Sequence, residues 1–263
     1  MEDPRTHARR LARRIAAIAD PPMRVRYVAN VLARTDPGDV ADLVTVAVHG
    51  AEARDGDLGA LLLALCLALA QPERAELRDA VVREAVLRGM NDTVALLSPR
   101  PSPKETEEPL AVPDFGKGRG ERKSLARRRV RDLLARVLRD PHPDVIRILL
   151  SNPALTEEDV IRLCAQRPVS SEVLREVFRT TKWVLRYRVR RAIVNNPFTP
   201  LDVALQLAAH LHAQDAREVM EAPELPVALR EACARVAGLQ TLHCAAPSRD
   251  RYRVRVRARG RAR

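Results

Sequence analysis

Residues 182–191 read Lys-Trp-Val-Leu-Arg-Tyr-Arg-Val-Arg-Arg, a close interleaving of aromatic rings and guanidinium groups. On a single helix, Arg186 and Arg190 share one face and Trp183, Tyr187 and Arg191 another, because residues three or four apart are neighbours. Such a stripe could grip an acidic protein partner, or nucleic-acid phosphates with the rings stacked on bases. Trp183, Arg186, Tyr187, Arg190 and Arg191 are therefore the expected partner-binding residues. The competing expectation is that the rings pack inside while the arginine heads stay in water.

A second set of candidates is purely electrostatic. Lys117, Arg119, Arg122, Lys123, Arg127, Arg128, Arg129 and Arg131 form one basic run. Arg253, Arg255 and Arg257 alternate with apolar residues near the C-terminus. Both could neutralise phosphates, so nucleic acid is the alternative partner. Each also has a plainer reading, as a solvated helix face and as a tail too charged to fold alone. The net charge of +12 is confined to these places: residues 114–139 carry 10 basic and 3 acidic groups, and residues 247–263 carry 8 and 1. Residues 1–113 (15 against 17) and 140–246 (13 against 13) are close to neutral.

Metal and nucleophile chemistry has little to build on. His210 and His212 point about 200° apart on a helix and cannot share an ion, and His243-Cys244 stands alone. Cys66, Cys164 and Cys233 fall on apolar faces, as small core fillers do. There is no phosphate loop, no nucleophile elbow and no Cys-x-x-Cys pair. The chain reads as a non-enzyme without metal or cofactor.

The elements that must position these residues are helical. Aromatic residues make up only 3% of the 263, so the core must be built from Leu, Val, Ile and Ala, which suits helix-on-helix packing. Arg outnumbers Lys by 42 to 4, a bias that points to GC-rich coding and a bacterial source. No apolar signal segment follows Met1, and the apolar run 58–70 is too short to span a bilayer, so the expectation is a cytoplasmic protein with a buried helix there.

Residues 5–97 read as four or five helices, broken at Asp20-Pro21-Pro22, Asp36-Pro37-Gly38, Asp55-Gly56, Pro72 and Gly89. Residues 98–124, rich in proline and then basic, read as a linker. From Leu125 an i, i+3, i+4 apolar pattern resumes, including one face of Val130, Leu133, Leu134, Val137 and Leu138. The expected organisation is a helical subdomain at 1–97, a linker at 98–124, a helical-repeat domain at 125–246 and a basic tail at 247–263.

That second domain contains an internal echo. Asn152-Pro153 is followed by Thr156 and Asp159-Val160, and Asn196-Pro197 by Thr199 and Asp202-Val203, an offset of 44 residues (196 − 152). This lies in the period range of stacked helical units. In each, the Asn could cap the helix that ends and the Thr the helix that begins. A weaker echo relates Arg167-Pro168 and Leu174-Arg175-Glu176 to Ala222-Pro223 and Leu229-Arg230-Glu231. The phrases at 138–145 (Leu-Arg-Asp-Pro-His-Pro-Asp-Val) and 152–156 (Asn-Pro-Ala-Leu-Thr) resemble the leucine-rich repeat variant, a bacterial relative of the HEAT and armadillo repeats. The resemblance covers about 125–238. It implies an all-α, right-handed solenoid of short antiparallel helices with a concave face, used as a scaffold for a protein partner. The iron–sulfur cluster of that family's founding members sits on cysteines this chain lacks.

Overall fold

The computed structural model describes residues 3–102, 104 and 118–238. The described residues are all-helical, with no strand among them. The tail containing Arg253, Arg255 and Arg257, together with His243, Cys244 and Lys117, lies outside them.

The first half comprises α1 (Pro4–Ala16), α2 (Pro21–Leu32), α3 (Pro37–Glu52), α4 (Gly56–Leu69), α5 (Ala75–Leu87) and α6 (Asn91–Leu97). Prolines in the first turns of α2 and α3 start those helices at the expected breaks, and Pro4 starts α1, in a position where a missing N–H costs nothing. Gly89, with φ 68°, ends the turn after α5. The central helix is α4, whose apolar run packs against α1, α2 and α3 and is buried on nearly every side. No single helix among the described residues is long and apolar enough to cross a membrane.

The second half comprises α7 (Arg119–Arg127), α8 (Arg131–Val137), α9 (Pro143–Leu150), α10 (Glu157–Ala165), α11 (Ser171–Arg179), α12 (Thr181–Val184), α13 (Tyr187–Val194), α14 (Leu201–Ala208), α15 (Ala213–Glu221) and α16 (Val227–Val236). Helix α7 pairs with α9, α10 with α13 and α14 with α16; α9 also meets α11, and α13 meets α14. Helix α7 begins inside the segment read as a linker, because Gly118 N–H donates to the Glu121 side chain (3.2 Å) and closes the first turn.

The apolar pattern that resumes at Leu125 spans two helices, with Leu125 on α7 and the face from Val130 to Leu138 on α8 and its caps. The chain leaves the helix at Arg128–Val130, and the carbonyls of Ala126 and Arg128 accept the Asn152 side-chain amide at 2.8 and 2.9 Å. Asn196 repeats the arrangement, donating to the carbonyls of Cys164 (2.7 Å) and Gln166 (2.9 Å) at the end of α10. Each Asn Oδ1 accepts a backbone amide two residues on, from Ala154 at 2.9 Å and from Phe198 at 3.0 Å. The two asparagines therefore stitch one helix end to another rather than merely capping their own. Thr156 caps α10 reciprocally with Asp159, as expected. Thr199 does not open α14: its hydroxyl turns back to the Ile193 carbonyl at 2.6 Å, and Pro200 takes the position ahead of the helix.

The two halves share one continuous apolar core. Helix α14 packs on α6 and α4, Gln206 donates to the Leu96 carbonyl (2.5 Å), and Gln71 and Arg179 exchange hydrogen bonds with the ends of each other's helices (3.1 Å each). An Arg235–Glu52 ion pair at 2.9 Å closes the seam.

Candidate functional site

The segment carrying the aromatic–arginine stripe is split. Helix α12 ends at Val184, and Arg186 occupies the cap position before α13, so residues 183–191 do not form two continuous faces. Trp183 is 1% exposed, with its indole N–H donating to the Leu150 carbonyl at 2.8 Å. Its ring is therefore core, with Lys182 and Arg186 laid over it at 4.3 and 5.1 Å from the ring centre. Tyr187 stacks on His212, ring centres 4.0 Å apart. Its hydroxyl donates to Asp215 and accepts the His212 amide, and burial followed by the Asp215 contact raises its pKa.

The arginines of this stretch are engaged as well. Arg186 pairs with Glu157 (2.7 Å), Arg188 with Glu158 (3.0 Å), and Arg191 with Asp215 (3.0 Å) and Glu218 (2.7 Å). Half-buried Arg190 donates to the Leu185 carbonyl at 3.0 Å, and burial lowers its pKa. Beside it, burial and then the Arg190 charge push the His210 pKa down to about 3, so this imidazole is neutral. These residues act mainly as struts between helices.

Much of the basic run does the same. Arg122 is buried on Asp140 (2.6 Å), Lys123 pairs with Asp144 (3.1 Å), and Arg131 makes a two-pronged contact with Asp159 (2.6 and 2.7 Å). Burial alone would raise the Asp159 carboxyl, but Arg131 and the Thr156 hydroxyl and amide hold it down to about 2. Arg119, Arg127 and Arg128 lie exposed, and Arg127 reaches only the Lys123 carbonyl (3.3 Å). Further cross-helix pairs, Arg147–Glu176 (2.8 Å) and Arg175–Asp202 (2.7 Å), extend the same pattern.

Reactive groups are placed for packing. Cys66, Cys164 and Cys233 are buried, and burial raises all three thiols, the first and last to about 12. Thiolates at neutral pH are the nucleophiles, so these are inert. Among the described residues no group of three or more His, Cys, Asp or Glu is arranged to hold a metal ion.

What the geometry leaves open is a groove of about 450 Å³ where the α8–α9 corner meets the α10–α11 corner. Its walls include Pro141, Pro168 and buried Val169, with Arg139, Gln166, Arg167 and Ser170 supplying polar groups. Gln166 is anchored to the Leu138 carbonyl (3.1 Å) and Arg167 to the Asn195 carbonyl (2.7 Å). The exposed Arg139 has no acidic partner among the described residues, whereas Asp140 is taken by Arg122. Few apolar side chains with a convergent cation above them suit a short acidic segment. The sequence marks these corners through Asp140-Pro141 and Arg167-Pro168, but nothing in it says that two corners adjoin.

Comparison with protein-family models, curated proteins and solved structures finds no match.

Proposed function

We propose that residues 119–236 are successive units of three or four short helices in a helical-repeat solenoid (α7–α9, α10–α13 and α14–α16) that serves as a non-enzymatic scaffold for a protein partner. The equivalent seats of Asn152 and Asn196 support the repeat, as does the pairing of first and last helix in each group. Struts such as Arg131–Asp159, Arg147–Glu176 and Arg175–Asp202, 27 to 29 residues apart in sequence, would hold the units in fixed register. A rigid stack of this kind offers a pre-organised surface, which lowers the entropic cost of binding.

The observation that carries the reading is the groove between the two proline corners, with an unpaired Arg139 guanidinium beside apolar walls. Its chemistry suits an acidic segment of the partner, because guanidinium groups take carboxylates in bidentate, charge-assisted pairs. The earlier candidates Arg186 and Arg191 then contribute by tying α13 to α10 and α15, and Arg190 by holding the carbonyls that end α12. Peptides displayed on phage and selected on the full chain should be acidic. Their affinity should fall about tenfold or more in an R139E variant, since a hydrogen bond to a charged group contributes about 1.5–3 kcal/mol and a factor of ten requires about 1.4 kcal/mol. Selected peptides indifferent to this change would overturn the assignment.

A further inference from the structure

The arginines of the second half are largely matched by acids on neighbouring helices; Arg9, Arg13 and Arg14 of α1 have no such match among the described residues. Between residues 4 and 34 the chain has eight arginines (5, 9, 10, 13, 14, 24, 26 and 34) and one acidic residue, Asp20. The next stretch, 35–97, reverses the balance with five basic and eleven acidic residues, which hid this cluster in the near-neutral sum over 1–113. On α1 the apolar residues Ala8, Leu11, Ala12 and Ile15 turn into the core, and Arg9, Arg10, Arg13 and Arg14 fan outward as two rows four residues apart. Arg9, Arg13 and Arg14 are exposed and have no acidic partner among the described residues. With Arg10 they flank an open hollow of about 700 Å³, bounded otherwise by Thr6 and Ala17.

We infer that this face of α1 docks on the sugar–phosphate backbone of duplex DNA. A rise of 1.5 Å per residue sets successive guanidinium groups in each row about 6 Å apart along the axis, so several phosphates can be engaged at once. Arginine matches phosphate in bidentate geometry, and a partner that is itself a dense line of negative charge needs nothing more for affinity. The face lacks what other acidic partners would use. It carries no exposed large apolar side chain to anchor a protein interface, and its one ring, His7, is half-buried rather than a row of platforms on which single-stranded bases could stack. The apolar side of α1 is committed to the core, which leaves no surface to insert into a bilayer. The inference stands independently of the peptide groove.

The test is a salt titration of fluorescently labelled duplex DNA with the full chain, wild type against R9Q/R13Q/R14Q. Glutamine keeps helix propensity and removes only the charges. Each lost phosphate contact reduces the slope of log K against log salt by about 1, so the variant should be shallower by about 3 and bind at least about tenfold more weakly near 0.1 M salt. Its circular dichroism melt should stay within about 4 °C of the wild type, because none of the three side chains makes a hydrogen bond or ion pair among the described residues and only the last-turn charges of Arg13 and Arg14 act on the helix. Because the comparison holds the rest of the chain constant, the basic tail cannot produce the difference. An unchanged slope and affinity would overturn the inference, as would tighter binding of the single strand or of poly-glutamate than of the duplex.

Discussion

Replacing Asn196 by Ala tests the stitch between α10 and α13. The residue is 2% exposed and makes three hydrogen bonds, to the carbonyls of Cys164 and Gln166 and from the amide of Phe198. The truncation leaves those three groups without their partner, at about 1 kcal/mol each, or about 3 kcal/mol in total. For a chain of this size each kcal/mol lowers Tm by about 2–4 °C, so a thermal melt followed by far-ultraviolet circular dichroism should drop by about 6–12 °C. Asn195 provides the control one position away. Its side chain reaches only the Arg191 carbonyl of its own helix, at 2.9 Å and exposed to water, so Asn195→Ala should cost less than about 1 kcal/mol. Asn152→Ala should behave like Asn196→Ala, because its three bonds are the same in kind. Equal losses at positions 195 and 196 would refute the reasoning.

Three further outcomes are expected. Gly50→Ala should cost about 1–3 kcal/mol in urea unfolding because its new methyl would press on Leu58, whereas Gly59→Ala, with open space around it, should gain up to about 1 kcal/mol of helix propensity. Asp159 ionises at about 2 in the folded chain against 3.8 ordinarily, so its pairing contributes fully above about pH 4 and is lost as pH falls toward 2; the stability gap between wild type and Asp159→Asn should shrink over that window, and a gap independent of pH would contradict the pairing. In a Cys244→Ser variant, an aromatic disulfide reagent should label none of the remaining thiols in the folded chain and Cys66, Cys164 and Cys233 after unfolding, since burial keeps each of the three protonated.

The helical class was legible because the apolar period and the Asp, Gly and Pro breaks are local signals. Helices α2 to α4 begin at the breaks that Asp20-Pro21, Asp36-Pro37 and Asp55-Gly56 mark. The Asn-Pro echo was legible as a repetition but not as a contact. Nothing in residues 125–138 reveals that an amide from position 152 takes two of their carbonyls, so the break between α7 and α8 at Arg128–Val130 was not read, although the face from Val130 to Leu138 does fall on α8 and its caps. Short α6 was not singled out, as seven residues give the apolar period little room. The pairing of the stripe at 182–191 was illegible for a related reason: its acidic partners sit 24 to 30 residues away, and no local pattern distinguishes a paired arginine from a free one. The cluster on α1 was lost by summing charge over a hundred residues in which two opposite excesses cancel.

The claim on which the rest depends is that Asn152 and Asn196 occupy equivalent buried seats between helices. Side-chain amide hydrogen exchange, read by NMR on uniformly nitrogen-15-labelled protein, tests it directly. Both Nδ2 protons of each residue are donated to buried or half-buried carbonyls. All four should exchange as slowly as backbone amides in the core, while the Asn195 side chain exchanges near solvent rates. Rapid exchange at Asn152 and Asn196, matching Asn195, would contradict the account.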